Sequence, residues 1–179
     1  MKRLPGDPVA HIVRAAAFAA EQHRNQRRKG KEAFPYINHP LALAAVLAEA
    51  GERDPTVLVA ALLHDTVEDT ATTFKQLEQC FGADVAAIVR EVTDDKRLPK
   101  AERKRLQIAH AAGLTRRAKL VKLADKICNL HDIRSSPPVD WSPARRRQYF
   151  DWAKRVVDRM RGTHPRLEKL FDAEYAGRR

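Results

Sequence analysis

The densest group of chemistry-bearing residues interrupts an apolar run. Val57 to Leu63 is followed by His64-Asp65-Thr66-Val67-Glu68-Asp69. On a helix, His64 and Glu68 are four apart, Asp65 and Glu68 three apart, and Asp65 and Asp69 four apart, so the four side chains crowd one end and one side. Three carboxylates so close repel one another unless a cation or a proton neutralises them. A helix C-terminus also disfavours extra negative charge. A divalent metal is the economical answer, and a solvated acidic last turn is the bland one.

Two further residues fit the same centre. His39 lies in Pro35-Tyr-Ile-Asn-His-Pro40, a rigid segment that fixes an imidazole at a helix start. Asp125 interrupts the apolar face of Leu120 to Leu130, with Asn129 one turn later. An aspartate on a buried face needs a partner, because an unpaired buried charge is very costly. Each also has a structural reading: a capping histidine, and an aspartate paired to Lys or Arg. Taken together, two imidazoles and two carboxylates without thiolate suit Mn²⁺, Fe²⁺ or a similar octahedral ion better than structural zinc. The remaining histidines (11, 23, 110, 131 and 164) read as surface or packing residues.

The elements that must position these residues read as helices. In Val9 to Ala20, Val9, Ile12, Val13, Ala16, Ala17 and Ala20 fall on one helical face. Asp7-Pro8, His39-Pro40, Asp54-Pro55, Leu98-Pro99, Ser142-Pro143 and His164-Pro165 each precede an apolar-periodic run. Proline suits a first helical turn, where its missing N–H would be unpaired anyway, and Asp or Ser ahead of it can cap the exposed donors. Thr73 and Gln76 have capping-box spacing, and Gly51 and Gly82 read as C-terminal stops. The pattern predicts helices at roughly 8–27, 40–50, 55–69, 74–81, 83–94, 99–112, 116–133, 143–160 and 165–175, with no convincing strand. The expected fold class is all-α: one compact helical domain spanning 1–179, with its core at about 8–175.

Charge is uneven. The net +11 of this 179-residue chain divides into +5 for residues 1–30, −5 for 31–90 and +11 for 91–179. An acidic middle between basic flanks is what a cation site facing an anionic substrate needs. Most of the Arg and Lys are expected to solvate helix faces. Arg103-Lys104-Arg105 and Arg145-Arg146-Arg147 could equally touch nucleic acid.

Other chemistries are excluded cheaply. The seven glycines are never closer than 15 positions, so no Gly-rich phosphate loop is present. None of the three serines sits in Gly-x-Ser-x-Gly. The longest apolar run, Leu41 to Ala48, is far short of the ~18 residues of a spanning helix. No export signal is apparent and the two cysteines form no disulfide framework, so a cytoplasmic protein is expected.

His39, the pair His64-Asp65 and the distant Asp125 resemble the H…HD…D metal motif of the HD superfamily of phosphohydrolases. More narrowly, His23-Arg-Asn-Gln-Arg-Arg-Lys29, Pro35 to Pro40, Ala61 to Asp69 and Lys122 to Leu130 resemble the hydrolase domain of RelA/SpoT-type alarmone enzymes. Glu91 to Lys96 and Leu98 to Arg105 are most similar to the stand-alone, metazoan-type small alarmone hydrolases. The resemblance covers roughly residues 8–175.

That resemblance implies hydrolysis of the 3′-pyrophosphate of (p)ppGpp to GDP or GTP plus pyrophosphate, with one Mn²⁺ held by His39, His64, Asp65 and Asp125. It implies that Glu68 and Asp69 orient or deprotonate water and help protonate the leaving 3′-oxygen. It places Arg28, Lys29 and Asn129 at the nucleotide, with Lys100, Arg105, Arg145 and Tyr149 as outer phosphate-side contacts. The chain ends without room for a synthetase domain, so hydrolysis alone is expected. The substrate is a small nucleotide, with no membrane partner and nucleic acid not expected. Two competing readings are another HD phosphohydrolase, such as one removing the 2′-phosphate of NADPH, and a basic RNA-binding helical module with an inactive site.

Overall fold

The structure is a computed structural model and describes residues 7–178. Within it the chain forms ten α-helices: α1 Pro8–Gln22, α2 Asn38–Ala50, α3 Pro55–Leu63, α4 Thr66–Asp69, α5 Phe74–Phe81, α6 Ala83–Val92, α7 Lys100–His110, α8 Arg116–Ser135, α9 Pro143–Asp158 and α10 Pro165–Ala176. A 3₁₀ turn at Ala111–Gly113 follows α7. The described residues hold no strand, only two isolated bridges, Arg27 with Pro35 and Gly30 with Pro138. The all-α expectation is met.

The caps are local chemistry written in the sequence. Asp7, Asp54 and Ser142 accept hydrogen bonds from Val9, Thr56 and Arg145 N–H, each ahead of a proline in the first turn. Thr73 accepts from Gln76 N–H at 3.2 Å. Gly51 closes α2 at φ 103°, a left-handed conformation that favours glycine.

Two expected helices are corrected. The sequence pattern carries the first helix to residue 27, but α1 stops at Gln22, where His23 caps the last turn. The Arg- and Lys-rich chain beyond it folds into a turn instead, with Arg28 N–H donating to the Phe34 carbonyl at 2.9 Å. The second correction matters more. The helix expected over 55–69 breaks between Leu63 and Thr66, leaving His64 and Asp65 at the junction of α3 and α4. Across that break Thr66 Oγ1 donates to the Leu63 carbonyl at 2.7 Å.

The core explains why the junction is fixed. α3 is apolar all round, as a fully surrounded helix must be, and it packs against α1, α2, α6 and α8. Leu62 and Leu63 are fully buried, each stabilising the fold by about 1.5–3 kcal/mol relative to exposure. α8 is the other central element. It touches α2, α3, α6, α9 and α10 and carries Asp125 into their midst. Among the described residues no helix is long and apolar enough to cross a membrane.

Candidate metal and substrate site

The break between α3 and α4, the second residue of α2 and the middle of α8 converge on one point. His39 Nε2 lies 3.3 Å from Asp125 Oδ1, and His64 Nε2 lies 3.1 Å from Asp65 Oδ2. The cross distances are 4.0 Å for His39 to Asp65 and 3.9 Å for His64 to Asp125. Ligand atoms of His39, His64 and Asp125 all fall within 4.8 Å of one another. The structure therefore brings all four expected ligands together, with both imidazoles buried.

The donor chemistry fits a divalent cation. His64 Nδ1 sits 2.8 Å from the Ala61 carbonyl and so carries the hydrogen. Its Nε2 is buried, has no hydrogen-bond partner among the described residues, and faces the carboxylates. Burial pulls the His64 pKa down, but the Asp65 and Asp125 charges outweigh it and carry it up to about 9. Burial likewise opposes ionisation of Asp65 and Asp125, yet both are held below the usual carboxylate range. His64 acts on Asp65, and Lys126 with the two histidines acts on Asp125. Ionised carboxylates facing buried imidazole nitrogens form a suitable site for a divalent metal.

The groups around these four orient them. Tyr36 OH donates to Asp65 Oδ2 at 2.5 Å and to Asp69 Oδ2 at 3.2 Å. The Tyr36 ring stacks on buried His23 at 4.7 Å between centroids. Lys126 Nζ donates to Asp125 Oδ2 at 2.8 Å, and Asn129 Nδ2 to Asp125 Oδ1 at 2.5 Å. Neither Tyr36 nor Lys126 stood out in the sequence. Tyr36 offered a signal, lying in the same rigid Pro35 to Pro40 segment as His39.

A cavity of about 740 Å³ opens beside the cluster, bordered by Arg28, Lys29, His39, Asp69, Asn129 and Tyr149 among others. Arg28 donates to Asn129 Oδ1 at 3.0 Å and to Asp132 Oδ2 at 2.5 Å, so Asn129 links the guanidinium to Asp125. Trp141, absent from the sequence expectations, also borders the cavity, and the Arg145 guanidinium lies 4.6 Å over its ring. Lys100 begins α7. Burial first, then the nearby charges of Arg145, Lys29 and Arg103, lower its pKa, which places it on a shared cationic rim. Arg105 is not brought there. It points outward and pairs with Glu102 at 2.6 Å.

Glu68 and Asp69, adjacent on α4 and so about 100° apart around it, diverge. Asp69 borders the main cavity and pairs with Lys96. Glu68 borders a neighbouring cavity of about 480 Å³, where Oε2 accepts the Asp94 N–H at 3.0 Å and Oε1 lies 3.6 Å from Arg103. Burial is the main influence raising the Glu68 pKa; the Asp94 N–H bond opposes it, and the charges of Asp94, Asp65 and Asp69 add to it.

Residues 15–151 match the HD domain family. The chain belongs to that family. It is 57% identical over 165 residues to guanosine-3′,5′-bis(diphosphate) 3′-pyrophosphohydrolase MESH1 of Xenopus tropicalis, covering 92% of each chain. The human MESH1 protein is 54% identical over 167 residues, with 93% of each covered. The bifunctional (p)ppGpp synthase/hydrolase SpoT of Escherichia coli is 36% identical over 141 residues, which span 75% of this chain and 20% of SpoT. Among solved structures, a metazoan ortholog of SpoT that hydrolyzes ppGpp superposes with a TM-score of 0.92 at 49% identity. That match covers 99% of this HD-domain chain and 98% of the other. The break that turns His64 and Asp65 inward is thus seated in an HD-domain fold.

Proposed function

We propose that this chain is a metal-dependent (p)ppGpp 3′-pyrophosphohydrolase of the cytoplasm. The observation that carries this reading is the His39, His64, Asp65 and Asp125 cluster, whose His39 borders a cavity that Arg28 and Lys29 also line. The resemblance to curated and solved ppGpp hydrolases over nearly the whole chain supports the choice of substrate.

His39, His64, Asp65 and Asp125 would hold the divalent ion, and the all-N/O donor set favours Mn²⁺. Such an ion, when bound, activates water and polarises the attacked phosphoryl group. The chain's own residues do the rest. Arg28 and Lys29 bind the phosphates, and Asn129 fixes Arg28 by accepting its hydrogen bond. Lys100, Arg145 and Tyr149 border the route by which the anionic nucleotide arrives.

Asp69, which accepts from Tyr36 and pairs with Lys96, orients the attacking water from the main cavity. Glu68 is the member assigned to help protonate the leaving 3′-oxygen.

The test is turnover of ppGpp, pppGpp and NADPH by purified protein with added Mn²⁺, with the released phosphate identified. Pyrophosphate from ppGpp or pppGpp is the expected product. Orthophosphate from NADPH, with no pyrophosphate from either alarmone, would reassign the substrate while leaving the metal site in place.

A further inference from the structure

The run Arg145-Arg146-Arg147 does not act as one patch. Arg145 turns towards Trp141 at the main cavity, whereas Arg146 and Arg147 face the other side of α9. There they join Arg134 and Arg178 around a second cavity of about 370 Å³, floored by Ile133 and Phe150. Ile133 is the one residue that borders both cavities, so the C-terminal part of α8 stands between them. The volume lies within the roughly 300–1,000 Å³ of small-molecule sites.

The charge there exceeds what the fold uses. Among the described residues no carboxylate borders the cavity. Arg134 pairs with Glu174 at 3.1 Å, and Arg178 lies 4.1 Å over the Tyr175 ring. Neither Arg146 nor Arg147 has an ion-pair partner among the described residues, and Arg146 Nε is a buried donor with no acceptor. Arginines do favour the last turns of helices, and α8 and α10 both end here. Those two ends contribute about half a negative charge each, and Glu174 one more. Four guanidiniums still leave an excess of about two positive charges.

We propose that this cavity is a second anion site, binding a diphosphate group through Arg146 and Arg147 with Arg134 and Arg178 at its edges. Guanidinium forks match phosphate oxygens in paired hydrogen bonds, and a diphosphate offers enough oxygens to satisfy Arg146 Nε and Arg147 together. Gly177 shapes the rim. A Cβ there would lie 2.9 Å from Arg134 Cδ, so glycine lets the end of α10 close against that arginine. The diphosphate is either free pyrophosphate or the diphosphate of a nucleotide.

The experiment titrates inorganic pyrophosphate, and separately GDP, into the full-length protein. The arginine Nε–Hε resonances are followed by NMR, with Arg146 assigned through R146K. A saturable shift at Arg146 is expected. Its dissociation constant should rise at least tenfold in R147A and in R178A, and persist when Arg28 in the main cavity is replaced by alanine. R147A should keep wild-type turnover, which separates loss of this site from misfolding.

Response to pyrophosphate alone identifies the free anion, and an equal response to GDP identifies a nucleotide-borne diphosphate. Either supports the site. No saturable shift at Arg146, or one abolished by R28A, overturns it. So does a single-stranded RNA that binds at Arg146 more tightly than both and displaces them, because the surface would then serve nucleic acid.

Discussion

Tyr36 donates its phenolic hydrogen to Asp65 at 2.5 Å, from a loop that reaches the α3–α4 junction only through tertiary contact. The bond sets the direction of a carboxylate that would otherwise turn freely between His64 and His39. Groups that orient metal-binding side chains typically alter metal affinity by 10–100-fold when removed. Tyr36→Phe keeps the stacking on His23 and removes only the hydroxyl. A 10–100-fold weaker Mn²⁺ affinity is therefore expected in a chelator competition, with the melting temperature of the metal-free protein little changed. Unchanged affinity would mean that Asp65 is oriented without it.

Arg28 and Arg105 test which cations meet the substrate. Arg28 faces the main cavity and is tied through Asn129 to Asp125, whereas Arg105 is spent on Glu102 at the surface. A hydrogen bond to a charged group contributes about 1.5–3 kcal/mol. Arg28→Ala should lower kcat/KM for ppGpp by about tenfold to a hundredfold. Arg105→Ala should leave it within about twofold. Steady-state kinetics of the two variants decides, and a large loss in Arg105→Ala would show that α7 rearranges on binding.

Asp54 tests the support of α3 away from the site. Its carboxylate caps Thr56 N–H and pairs with Arg117 at 2.8 Å. Burial pushes its pKa up, but the Thr56 bonds and Arg117 outweigh that and hold it below the ordinary value. A lowered native pKa stabilises the fold fully above the unfolded value of about 3.9 and loses that contribution as pH falls through the native one. Asp54→Ala should cost about 0.5–2 kcal/mol at pH 7. The ion-pair part of the wild-type advantage should begin to shrink below about pH 4 and be gone only below the lowered native pKa, as measured by denaturant unfolding at a series of pH values.

Much of the fold was legible because its signals are local. Caps at Asp7, Asp54, Thr73 and Ser142 and the stop at Gly51 need only neighbours in the chain. The convergence of His39, His64, Asp65 and Asp125 was legible from residue type and from their matching an HD pattern. The break at His64-Asp65 was not, because no glycine or proline marks it and the helical spacing of 55–69 runs straight through it. Which of Glu68 and Asp69 meets which cavity depends on the elements packed around α4, which spacing alone does not give. Tyr36 and Lys126 act across the fold, and a tyrosine or lysine carries no spacing signal for such a role. Arg145 and Arg146, adjacent in sequence, serve opposite faces of α9, which a charge count merges.

The most direct measurement is pyrophosphate release from ppGpp with Mn²⁺ by wild type, Asp65→Ala and Glu68→Ala, with bound metal quantified in each. The expected result is release by wild type alone, with Asp65→Ala losing the metal and Glu68→Ala retaining it. A metal-loaded wild type that releases no pyrophosphate would contradict the assigned activity.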